Sequence, residues 1–158
     1  MTMIGTTLQR AIRFGLLVGI VGLMIAEFPE AAVSTHQINA KGAGQDLGGG
    51  QTEARVIGGG LLSGRTTAQF AITGDAFPVF EIEGDVTFQT HEGATLTVHV
   101  TGTFDVSTGE FSASGPVTDA TGRLTGATGM LTFIGIQDLV DGTFTEDITG
   151  SITVDLAP

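Results

Sequence analysis

One stretch decides the fold of this chain: Asp119-Ala-Thr-Gly-Arg-Leu-Thr-Gly-Ala-Thr-Gly-Met-Leu-Thr-Phe133. It contains Ala-Thr-Gly twice, seven residues apart, and each copy leads to an apolar leucine. Because glycine adopts backbone angles that are closed to other residues, Gly122, Gly126 and Gly129 predict a tight connection with close backbone approach. The following run 130–134 predicts a strand, since its residues suit a pleated, half-buried surface.

Apolar and polar residues alternate along three further segments, 80–88, 96–106 and 148–156. A period of two places one face of each strand on a dry interior and the other in water, as in antiparallel sheets. The apolar even positions are Phe80, Ile82, Val86, Phe88, Leu96, Val98, Val100, Phe104, Val106, Ile148, Ile152, Val154 and Leu156.

Short turn signals separate these segments, as in a chain of hairpins. The turns are predicted at Gly74–Pro78, His91–Gly93, Ser107–Gly109, Gly115-Pro116 and Asp141-Gly142. Strands are predicted near 53–63, 65–73, 79–90, 94–106, 109–115, 127–137, 142–149 and 150–156. The last two are separated only by Gly150, so one bent strand is the alternative. The sequence therefore predicts an all-β fold, a single antiparallel barrel of seven or eight strands.

The N-terminal segment 1–34 has the pattern of an export signal. Two arginines precede the uncharged, apolar run 14–26, and small residues follow. Thirteen residues are fewer than the roughly 20 that a membrane-spanning helix needs. We predict a hydrophobic helix that acts as a signal peptide, cleaved after Ser34, with Ala31 or Ala32 as alternatives. The rival interpretation is an uncleaved anchor. The protein is thus expected to be secreted or periplasmic, or else membrane-anchored with its barrel outside the cytoplasm.

The segment 35–52 is polar and rich in glycine, and it ends in three consecutive glycines, Gly48 to Gly50. Such a composition is typical of a flexible linker. We therefore predict a flexible lead-in over 35–52 and a barrel domain over 53–158.

Composition excludes several classes of function. A net charge of −11 disfavours binding to nucleic acid, whose phosphates require Lys and Arg. The absence of cysteine excludes disulfides and thiolate chemistry.

Asp138, Asp141 and Asp147 lie around one hairpin, but their spacing indicates a solvated acidic turn rather than a calcium site. His36, His91 and His99 form no ligand set. We predict no metal site and no cofactor.

The 119–133 stretch resembles a glycine motif of plant dirigent proteins and allene oxide cyclase-like barrels. In that motif a Gly or Thr-Gly turn is followed by an apolar residue, a small residue, a glycine and a strand. Thr121-Gly122, Leu124, Ala127 and Gly129 occupy these places. The resemblance extends over 53–156 in arrangement and over about 110–134 in residue identity.

This resemblance implies an eight-stranded barrel with an apolar lumen, often in a trimer, and an exported bacterial member of the group. Plant members steer the cyclisation or radical coupling of small apolar or phenolic molecules. The chain departs from them in having no Tyr, Trp or Cys, so no catalytic residue is transferred.

Glu146 is the candidate catalytic residue. It shares even numbering with Phe144 and Ile148, so an unbroken strand points its carboxyl group into the lumen, where burial would raise its pKa. A bulge at 145–147, or a position at the barrel mouth, would instead leave it in contact with water.

Two functional hypotheses use the lumen. In the first, the protein binds an apolar small molecule against Phe80, Ile82, Phe88, Val98, Val100 and Phe104. In the second, it is a cyclase or isomerase in which Glu146 transfers a proton. The third hypothesis is a structural role with a packed lumen, in which the barrel contacts a protein partner at the membrane or cell surface. Whether the protein is an enzyme stays open at this point.

Overall fold

The protein is a closed eight-stranded antiparallel β-barrel, described by a computed structural model over residues 33–74 and 76–155. Every strand pairs with its neighbours in the chain, and β1 pairs with β8 to close the barrel. The strands are β1 (Val33–Gly48), β2 (Gln51–Ile57), β3 (Gly64–Gly74), β4 (Val79–Thr90), β5 (Thr95–Asp105), β6 (Glu110–Ala120), β7 (Thr128–Gln137) and β8 (Thr143–Asp155). Single 3₁₀ turns, Gly60–Leu62 and Gly122–Leu124, precede β3 and β7.

This architecture confirms the all-β antiparallel barrel predicted from the alternation. The predicted N-terminal hydrophobic helix lies outside the described residues. Within 33–74 and 76–155, no helix has the length and apolar character that crossing a membrane requires.

The predicted flexible lead-in over 35–52 is wrong, because most of it is the strand β1. This strand of 16 residues pairs with β8 along Val33–Gln45 and with β2 along Lys41–Gly48. Ile38 and Ala40 are buried in the core, but the next inward positions are the glycines Gly42 and Gly44, so the apolar alternation is cut short. The barrel therefore includes Val33–Gly48, ahead of the predicted start at residue 53.

Two other strand boundaries also differ from the prediction. The predicted turn at Gly115-Pro116 lies inside β6, where both residues pair with β7 and lie opposite a gap in the β5–β6 register at His99 and Val100. The predicted strands 142–149 and 150–156 are one strand, β8, which continues through Gly150.

One end of the barrel, called the mouth here, carries the β1–β2, β3–β4, β5–β6 and β7–β8 hairpins. Backbone hydrogen bonds join adjacent hairpins around it. The N–H of Asp46 donates to the carbonyl of Gly142 at 2.9 Å, and the N–H of Val106 donates to that of Pro78 at 3.0 Å. The other end carries both 3₁₀ turns.

The 119–133 stretch seals this other end. Gly122 and Gly126 have φ of +61° and +79°, a conformation that glycine adopts without steric strain because it has no Cβ atom. The chain can therefore turn sharply at both positions. The turn directs Leu124 inward, and Leu62 of the first 3₁₀ turn does the same; both are fully buried. Each such leucine stabilises the fold by roughly 1.5–3 kcal/mol. They cap a packed half-barrel that contains Phe88, Leu96, Val98, Leu131, Ile148, Ile152 and Val154.

Candidate functional site

The mouth half of the barrel is hollow. Its cavity has a volume of about 540 Å³, which lies within the range of small-molecule sites. The wall is mainly apolar, and all eight strands contribute to it. Its large apolar residues are Phe70, Ile72, Ile82, Val86, Val100, Phe104, Phe111, Phe133 and Phe144, and its polar side chains are Asp46, Thr52, Thr66, Gln137 and Glu146.

The six residues predicted to line the lumen divide between three places. Ile82, Val100 and Phe104 lie in the cavity wall. Phe80 is half-buried at the mouth, with its ring centroid 6.5 Å from that of Phe77.

Phe88 and Val98 do not lie in the cavity wall, which corrects the prediction that they contact the ligand. Both face inward and are fully buried, but they belong to the packed half beneath the cavity. Period-two alternation identifies which side chains point inward. It does not show where the packed half of the barrel ends and the hollow half begins.

Glu146 points into the cavity, as an unbroken strand requires. The register of β8 runs without a shift, so Glu146 stands directly between Gly42 of β1 and Gly135 of β7. Its side chain lies flat over Gly42: a Cβ atom added there would come 2.7 Å from the Glu146 Cγ. The bulge considered at 145–147 is therefore absent, and the carboxyl group reaches the hollow half of the barrel.

Glycines keep the centre of the cavity open. Large inward side chains lie over a glycine on the adjacent strand: Phe111 over Gly135, Phe144 over Gly44, and Phe70 over Gly84. A Cβ at Gly44 would come 2.6 Å from the Phe144 Cζ, so any larger residue would push the ring inward. None of these glycines has a positive φ, so they serve to provide space rather than a special backbone conformation.

The Glu146 carboxyl group lies among the apolar side chains of the cavity wall. Burial among apolar residues raises its pKa to about 7 because the charged form loses hydration. Within 33–74 and 76–155, the structure shows no hydrogen bond or ion pair to this group. Two other polar side chains of the wall are paired with each other, since the Gln137 Nε2 donates to the Asp46 Oδ2 at 3.1 Å.

The remaining candidate groups lie outside the lumen. The Asp138 carboxylate accepts from the N–H of Val140, and that of Asp141 accepts from Thr143, so both stabilise the β7–β8 turn. Asp147 faces outward and pairs with Lys41 at 2.6 Å. Among the described residues, no three His, Asp or Glu side chains are placed to hold a metal ion.

His99 lies on the outer wall between two carboxylates. Its Nδ1 is 2.9 Å from the Asp85 Oδ1, and its Nε2 is 3.1 Å from the Glu83 Oε1. The hydrogen bond to Asp85, and secondarily the contact with Glu83, raises the pKa of His99. His91 is exposed in the β4–β5 turn, and His36 is part of β1, so the three histidines are not brought together.

Exposed apolar residues surround the mouth. They come from the β1–β2, β3–β4 and β7–β8 hairpins: Leu47, Ile72, Phe77, Leu139 and Val140. Single exposed apolar residues are common, but several around one opening mark a surface for apolar contact.

Sequence reasoning missed several wall residues. Phe111 and Phe144 have the inward parity of their strands, and the pairing of their rings at 6.0 Å follows from the register of β6, β7 and β8. Asp46 was missed because it lies in the segment predicted to be flexible. The signal that could have predicted β1 is the period-two spacing of Ile38 and Ala40, which Gly42 and Gly44 continue.

In the comparisons with known proteins, no protein-family model matches this chain, and no curated protein is significantly similar to it.

Proposed function

We propose that the protein binds an apolar small molecule in the mouth half of its barrel. The observation that carries this proposal is the division of the lumen into a packed half and a hollow half of about 540 Å³. Ligand sites occupy roughly 300–1,000 Å³ and are mostly apolar with a few polar groups. The apolar residues around the mouth support it further, because they extend the apolar surface to the entrance.

A second candidate function is proton-transfer catalysis of the cyclase or isomerase type. It is favoured by one observation: Glu146 has a pKa of about 7 and lines the cavity without a hydrogen bond or ion pair from the described part of the chain. A general acid or base acts best when its pKa lies near the working pH. A purely structural role fits less well, since it needs a filled lumen.

Kinship with the allene oxide cyclase and dirigent group is part of the proposal. It is supported by the closed eight-stranded barrel and by the glycine stretch that seals one end. Self-association, as a trimer or another oligomer, is supported by the exposed outer face of β7 with Met130, Ile134 and Ile136. If the N-terminal segment is retained, a protein partner at the membrane is the alternative user of this face.

Export is proposed from the N-terminal sequence. We expect mass spectrometry of the protein from the periplasm or medium to show a chain that begins at Thr35, or at Ala32 or Val33 if one of the alternative sites is used. Cleavage after Ala32 leaves β1 complete, whereas cleavage after Ser34 removes only its first two residues. Recovery of the intact precursor in the membrane fraction would favour the anchor instead.

A cavity-filling variant tests ligand binding. Ala68 lines the cavity, so Ala68→Phe should occupy part of it and weaken binding of the neutral fluorophore N-phenyl-1-naphthylamine by at least tenfold. Ala43→Phe is the matched control, because Ala43 is exposed on the outer wall and its replacement should leave binding unchanged. Fluorescence titration measures both. Equal binding by the two variants, or no binding by the wild type, would count against a ligand in the lumen.

A further inference from the structure

We propose that the cavity selects apolar ligands that carry a single positive charge, such as an aromatic or aliphatic amine, with Glu146 as their counter-ion. This inference rests on the proposed function and specifies its ligand class. It follows from the charges of the cavity wall, from the uncompensated carboxyl group, and from the aromatic rings beside it.

The wall carries acidic groups and no basic ones. Its titratable side chains are Asp46 and Glu146, and among the described residues that line the cavity there is no Lys, Arg or His. Two of the basic side chains are engaged elsewhere: Lys41 pairs with Asp147 on the outer wall, and Arg123 pairs with Glu92 at the sealed end. An anionic ligand would meet only like charge. A net charge of −11 attracts cations from a distance.

Glu146 is half-buried in the cavity wall and has no hydrogen bond or ion pair from the described residues. An ionised carboxylate in apolar surroundings is costly unless a counter-charge or several hydrogen bonds compensate it. Here neither is supplied by 33–74 or 76–155. A proton removes the cost at low pH, and a bound ammonium group would remove it at higher pH. Proton and ligand therefore compete for the same carboxylate.

Aromatic faces next to Glu146 suit the same kind of ligand. The ring of Phe111 covers Gly135, the glycine that pairs with Glu146, and it meets the ring of Phe144 edge-on at 6.0 Å. Aromatic faces attract cations, most strongly where water is excluded. The rest of the wall would contact the apolar part of the ligand.

Among residues 33–74 and 76–155, the elements around Glu146 add no other titratable group to the cavity wall apart from Asp46. On β1 and β8, Lys41 and Asp147 point outward and neutralise each other. On β7, the inward neighbours Gly135 and Gln137 do not titrate. The pH dependence of binding should therefore report Glu146.

Three fluorescent ligands of one shape but different charge test the inference: 1-pyrenemethylamine, 1-pyrenemethanol and 1-pyrenecarboxylate. At pH 8 we expect the amine to bind at least tenfold more tightly than the alcohol, and the carboxylate to bind most weakly. The ratio of amine to alcohol affinity should fall as the pH drops from 8 to 5.5, because protons then occupy Glu146.

Glu146→Gln should abolish this preference, so that the amine and the alcohol bind alike. Glu53→Gln is the matched control for net charge, since Glu53 is exposed on the outer wall, and it should keep the preference. If the alcohol binds but the amine is not preferred, or the preference survives Glu146→Gln, the inference is overturned and the proposed function stands. If none of the three ligands binds, both are overturned.

Discussion

Glu146→Gln should raise the free energy of unfolding by about 3 kcal/mol at pH 8 and leave it nearly unchanged at pH 4. The pKa of Glu146 is about 7 in the folded protein, against 4.5 in the absence of the fold. Each unit of difference corresponds to roughly 1.36 kcal/mol, which gives the value of about 3 kcal/mol.

The sign follows from which state binds more protons. Below pH 4.5 the group is protonated in both states, so the fold retains its full stability. Between pH 4.5 and 7 the unfolded chain loses the proton while the folded protein keeps it, and stability falls. Above pH 7 both states are ionised and the loss is complete. Glutamine never ionises, so the variant escapes this loss.

Urea unfolding followed by far-ultraviolet circular dichroism measures the effect, since the chain has no Trp or Tyr for intrinsic fluorescence. Glu53→Gln is again the control and should follow the wild-type curve. His99 also has a raised pKa, and its contribution is lost as pH rises, but it is present in every variant and cancels in the comparison. Parallel curves for wild type and Glu146→Gln would show that the carboxyl group is well solvated in the folded protein.

Glu146 also shows which features of the site could be predicted from the sequence. Its inward direction follows from parity alone, because Phe144 and Ile148 on the same strand are core residues. Its surroundings do not follow, since they depend on which residues of β1 and β7 stand beside it. Gly42 and Gly135 are 104 and 11 residues away in the chain, and only the closed register brings them together.

The strand β1 was missed for a related reason. The glycines of this segment predict flexibility, whereas in the structure Gly42 and Gly44 make room for Glu146 and Phe144. Glycine in a strand indicates either a weak element or a close approach by another group. The sequence of one strand cannot distinguish these two cases, because the approaching group belongs to a different strand.

The structure of the glycine stretch at 119–133 could be predicted from the sequence more directly than that of β1. It predicted a tight connection followed by a strand, and the structure has a 3₁₀ turn followed by β7. That turn is local, so its chemistry is contained in its own residues. Its role as the seal of the barrel is not local, and neither is the boundary between packed and hollow halves.

Phe88→Ala tests that boundary and should destabilise the protein by about 3 to 5 kcal/mol, the cost of truncating a packed aromatic side chain. Phe88 is fully buried, and its ring centroid is 6.1 Å from that of Phe133. Phe77→Ala is the matched control: Phe77 is 78% exposed at the mouth, so its truncation should change stability by no more than about 0.5 kcal/mol.

Phe104 lies between these extremes, because it is half-buried in the cavity wall. Phe104→Ala should therefore cost clearly less stability than Phe88→Ala, since one face of its ring already borders empty space. Chemical denaturation of the three variants at pH 5, where Glu146 is protonated in the folded protein, measures the series. If Phe88→Ala and Phe104→Ala cost the same, the lumen is packed uniformly along its length. The hollow half, and with it the ligand site, would then have to be abandoned.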